Sequence, residues 1–165
     1  MQRRKFLQNS AFAIGALSLS HQGILKAFTA DPWQITMLTD DIGIFTERGG
    51  TIAFHFSKEG ITVVDAQFPD TATQLIDELK KRNDQPFRLL INTHHHGDHT
   101  SGNISFKEVT KRVLSHENSL TNQKNSAVTQ KTEEKQYYPN QTFSTVWEED
   151  AGKEKISLNY YGAGH

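Results

Sequence analysis

Thr93-His94-His95-His96-Gly97-Asp98-His99-Thr100 decides how this chain is read, because half of its eight histidines fall in that one stretch. The spacing His94-x-His96-x-Asp98-His99 offers three imidazoles and one carboxylate from a single short loop. Neutral imidazole and carboxylate are ligands that suit zinc and iron, and a catalytic zinc commonly keeps three protein ligands and one open position. Histidines two apart on an extended loop point the same way, so His94 and His96 act together and His95 is turned away. Asp98 brings a hard, negative oxygen for a second divalent ion, or for orienting a nucleophile by accepting its hydrogen bond. A run of histidines also occurs in tags and polar turns. Here Gly97-Asp98-His99 follows the run and an apolar strand precedes it, which supports metal binding. Four donors are too few for two metals, and His165, in Gly162-Ala163-Gly164-His165, is the further candidate.

Working outward, residues 88–92 form the strand that ends at the histidine loop. Ligand sites in open α/β sheets gather at such carboxyl ends. Before it, Phe68-Pro69-Asp70-Thr71 starts a helix with Asp70 as its cap. Leu75, Ile76 and Leu79 make the apolar stripe, and Lys80, Lys81 and Arg82 complement the helix dipole. Residues 34–38, 42–47, 51–56 and 61–65 are short strands separated by Asp40-Asp41, Gly49-Gly50 and Lys58-Glu59-Gly60. Ile52, Phe54 and Phe56 share one face, with His55 on the polar one. Ile61 to Val64 is nearly continuous apolar, as in a strand covered on both sides. Asp65, at its end, either supports the histidine loop by hydrogen bonds or caps a turn.

Beyond the loop, residues 109–114 read as a strand and His116 onward as a short helix. His116 reads as a structural neighbour of the site rather than a ligand. The polar residues 122–135 are a loop, a mobile helix or a flap. Tyr137-Tyr138-Pro139, Phe143 and Trp147 supply aromatic packing or part of a pocket wall, and residues 156–161 form a final strand. These elements imply an α/β (α+β) fold, a mixed sheet with helices packed on it.

The 165 residues permit one domain of ordinary size. A formal net charge of −1 gives no electrostatic case for nucleic acid or an anionic membrane as partner. Cysteine is absent, so neither a disulfide nor a thiolate ligand forms within the chain. Arg3-Arg4-Lys5-Phe6-Leu7, followed by a mild apolar stretch from Ala11 to Leu19, has the layout of an export signal of the twin-arginine type. That stretch is too short for a normal membrane span. The expected organisation is a signal over residues 1–30, cleaved before Asp31-Pro32, then a domain over residues 31–165 in the bacterial periplasm or exported, with no stable membrane span after processing.

The stretch Asn92 to Asn103, the acidic strand end Ile61-Thr62-Val63-Val64-Asp65, the run Leu114-Ser115-His116-Glu117-Asn118 and the terminal Gly162-Ala163-Gly164-His165 together resemble the metallo-β-lactamase superfamily of metal hydrolases, in the order that family uses. The resemblance spans residues 34–165 and covers the N-terminal half of the family's αβ/βα sandwich, with the later metal ligands expected beyond His165. It implies that His94, His96 and His165 hold one metal and that Asp98 and His99 begin a second site. It implies zinc as cofactor, two ions in the complete domain, ahead of iron. His99 makes the site similar to glyoxalase II and the all-histidine lactamases. His96 stands where flavodiiron proteins carry glutamate, whereas persulfide dioxygenases share the pattern with one iron.

Two functions follow as expectations. The first is an exported zinc-dependent hydrolase of small molecules, attacking an ester, thioester or lactam-type bond. The second is a truncated, noncatalytic half-domain binding at most one metal. An incomplete sandwich leaves apolar sheet exposed, which invites self-association.

Overall fold

The computed structural model describes residues 33–163. Residues 1–30, expected to be an export signal, and His165 lie outside the described residues. Seven strands form one mixed sheet in chain order: β1 (Trp33–Met37), β2 (Ile42–Glu47), β3 (Gly50–Ser57), β4 (Gly60–Val64), β5 (Phe87–Asn92), β6 (Val113–His116) and β7 (Gln141–Phe143). The first four pair antiparallel, Ile35 opposite Phe45 and Phe45 opposite Ile52. From β4 onward the pairing is parallel, Val64 beside Ile91 and Ile91 beside Leu114. Parallel neighbours need a crossover, and helix α1 (Pro69–Arg82) makes the first one.

Pro69 occupies the first turn of α1, where its missing N–H costs nothing. The capping position falls to Phe68 rather than Asp70, with no side-chain cap. Asp70 is the second residue of the helix, accepts from the Thr71 N–H at 3.0 Å and pairs with Arg48. Proline at the first position fixes the start two residues ahead of where the aspartate alone suggests. Ala72, Leu75, Ile76 and Leu79 bury the inner face of α1 against Phe45, Ile52, Phe54, Ile61, Val63 and Leu90. Each large side chain so buried contributes roughly 1.5–3 kcal/mol of transfer free energy. Phe106, in the 3-10 turn Ser101–Phe106, closes this layer edge-on against Phe87, ring centres 5.8 Å apart.

The opposite face of the parallel strands carries a second cluster of Leu89, Ile91 and Leu114. It is covered by a hairpin of β8 (Val146–Ala151) and β9 (Glu154–Asn159), through Trp147, Ile156 and Leu158. The strand expected at residues 156–161 is thus one arm of a hairpin whose first arm, β8, carries three consecutive acidic residues, Glu148-Glu149-Asp150. Glu149 on β8 bridges Arg112 and Arg88, with Arg112 Nη1 to Oε1 at 2.9 Å, and fastens the hairpin to the sheet.

One further expectation shifts, and one set of alternatives narrows to a helix. Residues 109–112 lie outside the strand, which begins at Val113. The N–H groups of Val109 and Thr110 both bond to the Phe106 carbonyl, so a turn consumes the start of that apolar run. Residues 122–130 belong to a continuous helix α3 (Glu117–Gln130), capped by His116 Nδ1 accepting from the Asn118 N–H at 3.1 Å. Helix α2 is the single turn Gly97–Thr100. Among the described residues no helix is long and apolar enough to cross a membrane.

Candidate metal centre

Parallel pairing brings the carboxyl ends of β4 and β5 to the same edge of the sheet, the Asp65 N–H bonding to the Ile91 carbonyl at 2.7 Å. The residue ending β4 therefore meets the loop leaving β5, although 28 positions separate Asp65 from Thr93. Asp65 is buried and takes the left-handed conformation, φ 67°, which aspartate tolerates better than most residues. Its carboxylate accepts three bonds at 2.8 Å each, from the Thr93 N–H, the Thr93 hydroxyl and His99 Nδ1. Of the two readings of Asp65, support of the histidine loop is the one these bonds describe.

An ionised carboxylate only accepts, so the proton of neutral His99 sits on Nδ1 and Nε2 carries the lone pair. That Nε2 lies 3.6 Å from Asp98 Oδ2. The loop turns back on itself because the His96 carbonyl accepts from the N–H groups of His99 and Thr100, at 3.0 and 3.1 Å, and from the Thr100 hydroxyl. The His94 ring stands 3.9 Å from that of His99 and 4.9 Å from that of His96, centre to centre. His95 is 6.4 Å from His94 but 4.6 Å from His96. The tight turn breaks strict alternation, and His95 joins His96 in lining a cavity of about 120 Å³ against α3.

The loop's other anchors come from glycine and amides. A Cβ on Gly102 would stand 2.1 Å from the Ala66 carbonyl oxygen, so only glycine allows the loop to close on the segment after β4. The Ala66 N–H bonds to the His99 carbonyl at 2.9 Å and the Gly102 N–H to the Gln67 carbonyl at 2.7 Å. Asn92 and Asn103, at the two roots of the loop, exchange side-chain amide hydrogen bonds at 2.9 and 2.8 Å. His116 stays structural: its ring stacks on Tyr160 at 3.8 Å and its Nε2 meets the Ser144 carbonyl at 2.9 Å. His55, half-buried on β3, faces Asp41 at the other end of that strand from the loop.

Among the described residues, no three histidine, aspartate or glutamate side chains are gathered into a group that could hold a metal. The donor chemistry nevertheless fits one. His94, His96, Asp98 and His99 belong to one loop, the His94 ring stands beside those of His96 and His99, and His99 is oriented by a buried carboxylate through its other nitrogen, the arrangement by which outer partners fix metal-binding imidazoles. Sequence reasoning passed over Asn92, Asn103 and Gln123 as site neighbours. Only the symmetric placing of two asparagines about the loop hints at them.

The architecture is a mixed sheet with a histidine- and aspartate-bearing loop at the carboxyl end of β5, a parallel strand. The sequence model of the Metallo-beta-lactamase superfamily matches residues 46–164, and the chain belongs to that superfamily. In three dimensions it is similar to a metallo-beta-lactamase from Pontibacter korlensis, with a TM-score of 0.64 at 20% identity, over 80% of this chain and 62% of that one. The chain thus spans less than two thirds of the length of the structure it matches. Members of the superfamily typically bind metal ions, usually zinc.

Proposed function

We propose that this protein is an exported zinc-dependent hydrolase that cleaves an ester, thioester or lactam-type bond in a small molecule. The observation carrying the reading is the Asp65–His99 bond of 2.8 Å, which fixes one imidazole with its Nε2 toward Asp98 in a loop that also holds His94 and His96. His94, His96 and His165 would hold one ion, and Asp98 and His99 would begin the second position. Bound zinc supplies Lewis acidity and lowers the pKa of water to about 7. Asp98, 62% exposed, is free to accept a hydrogen bond from an attacking nucleophile and so orient it. Asp65, buried beneath, keeps the proton of His99 on the far nitrogen. Residues 1–30 would act as a twin-arginine signal that delivers the folded protein to the periplasm.

Purified protein is assayed with and without added zinc on a chromogenic β-lactam and a thioester, with metal content measured in parallel. Zinc-dependent turnover that His94→Ala abolishes is expected. Stoichiometric zinc without turnover of any ester, thioester or lactam would replace catalysis with metal binding alone. No zinc uptake at all would overturn the reading. Fluorescent-fusion export that survives Arg3→Lys with Arg4→Lys would remove the twin-arginine route.

A further inference from the structure

Asn92 is the last residue of β5 and Asn103 lies three residues beyond Thr100, so the two amides bracket the whole histidine loop. Both are buried, and each amide donates to the other's carbonyl, at 2.9 and 2.8 Å. Helix α3 joins the pair through Gln123, also buried, whose Nε2 reaches Asn92 Oδ1 at 3.4 Å and Ser119 Oγ at 3.2 Å. Gln123 also lines the cavity beside His95 and His96. One chain of amides therefore runs from both roots of the loop to the wall next to the histidines.

Closing a core requires no such pairing. Two apolar side chains would bury comparable surface without the desolvation cost that amides incur unless every bond is made. A reciprocal amide pair adds what apolar packing lacks: it fixes both the separation and the rotation of the backbones it joins. We propose that Asn92, Asn103 and Gln123 are positioning residues of the candidate metal centre, setting the span of the histidine loop and tying it to α3. This rests on the metal-site reading of the loop.

The test uses the whole chain with cobalt(II) as probe, together with backbone hydrogen exchange. Asn103→Leu is expected to weaken cobalt affinity about 10–100-fold, the usual effect of losing an outer support. It should also alter the visible cobalt bands and speed exchange of the amides over residues 93–100 by about tenfold or more relative to β1–β3. Gln123→Leu, which leaves the asparagine pair intact, should act in the same direction more weakly. Leu75→Ala, in the core beneath α1, lowers stability but should leave the cobalt spectrum unchanged, which separates positioning from loss of fold. A folded Asn103→Leu with unchanged spectrum and unchanged loop exchange would overturn the inference. Should Asn103→Leu not fold, Gln123→Leu decides, and wild-type loop protection in it would overturn the role of the amide chain. If the wild-type chain takes up no cobalt, the metal reading fails, and loop exchange alone judges the clamp.

Discussion

Asp65→Asn tests how the candidate centre is built, because it changes charge and proton placement while preserving shape. Asparagine is at ease at a φ of 67°, so the backbone needs no adjustment. Its carbonyl can still accept from the Thr93 N–H, replacing Oδ1. The new NH2 then faces the Thr93 hydroxyl and His99 Nδ1, where a carboxylate oxygen accepted from both at 2.8 Å. The hydroxyl can rotate to accept. The imidazole can accept only by carrying its proton on Nε2, the nitrogen 3.6 Å from Asp98. Bonds to a charged partner are worth about 1.5–3 kcal/mol against about 1 for neutral ones, so the variant loses about 1–3 kcal/mol of stability. Its metal affinity falls about 10–100-fold, since His99 now presents an N–H where a lone pair stood. Urea denaturation gives the first quantity, chelator competition with zinc the second, and nitrogen-15 NMR of the imidazoles the tautomer. An Asp65→Asn protein with wild-type zinc affinity and its His99 proton still on Nδ1 would refute the reasoning.

Three other outcomes follow from the packing and electrostatics. Gly102→Ala places a methyl 2.1 Å from the Ala66 oxygen and 2.9 Å from Ala72 Cβ. Because the obstacle is backbone, it should cost about 2–3 kcal/mol in urea and loosen the loop in hydrogen exchange. Phe106→Ala removes a fully buried ring from the α1 layer and should cost about 3–5 kcal/mol; a loss below about 1 would mean that the 3-10 turn is not part of the core. The hydrogen bond from Arg112 holds the Glu149 carboxyl below its ordinary value of 4.5. A lowered folded pKa gives stability that is present above the ordinary value and is lost as pH falls through the folded one. Glu149→Gln should therefore be less stable than wild type near neutrality. The gap should narrow below about pH 4 in denaturation series, and a gap that widens on acidification would contradict the ion-pair account.

The first five strands were legible to within a residue or two, since turn residues separate them and Ile52 and Phe54 alternate on one face. The histidine loop was legible for the same reason: its chemistry is concentrated in neighbours along the chain. What escaped depends on long-range contacts. The sequence leaves the second half of helix α3 open between loop, helix and flap because Ser119, Gln123 and Ala127 supply the buried face of the helix, and polar side chains there give no apolar stripe. Its polar residues become intelligible only beside Asn92. The hairpin strand β8 was hidden because Glu149 looks like a surface charge until Arg88 and Arg112 are seen around it. Asp65 stood between two readings that sequence could not separate, because its partner His99 is 34 residues away.

The junction of β4 and β5 shows how closely fold and site are bound together. Pairing runs from Ile61 opposite Phe87 to Thr62 opposite Leu89, so Arg88 is an extra residue on β5. A one-residue insertion exchanges the faces of everything beyond it. Because of it Leu90 joins the α1 core while Leu89 and Ile91 meet the hairpin. Arg88 itself reaches Glu149 and the Asp150 carbonyl at 3.1 Å. The same shift sets the side from which Asn92 leaves the strand and meets Asn103. Deleting Arg88 would leave a chain that either reverses the faces of Leu89, Leu90 and Ile91 or slides its register. In the first case Asn92 is carried away from Asn103 and the loop loses a root. In the second Asp65 no longer stands level with Thr93. Either way the histidine loop should lose its exchange protection before β1–β3 do. A deletion variant with native loop protection would show that the bulge serves the hairpin alone.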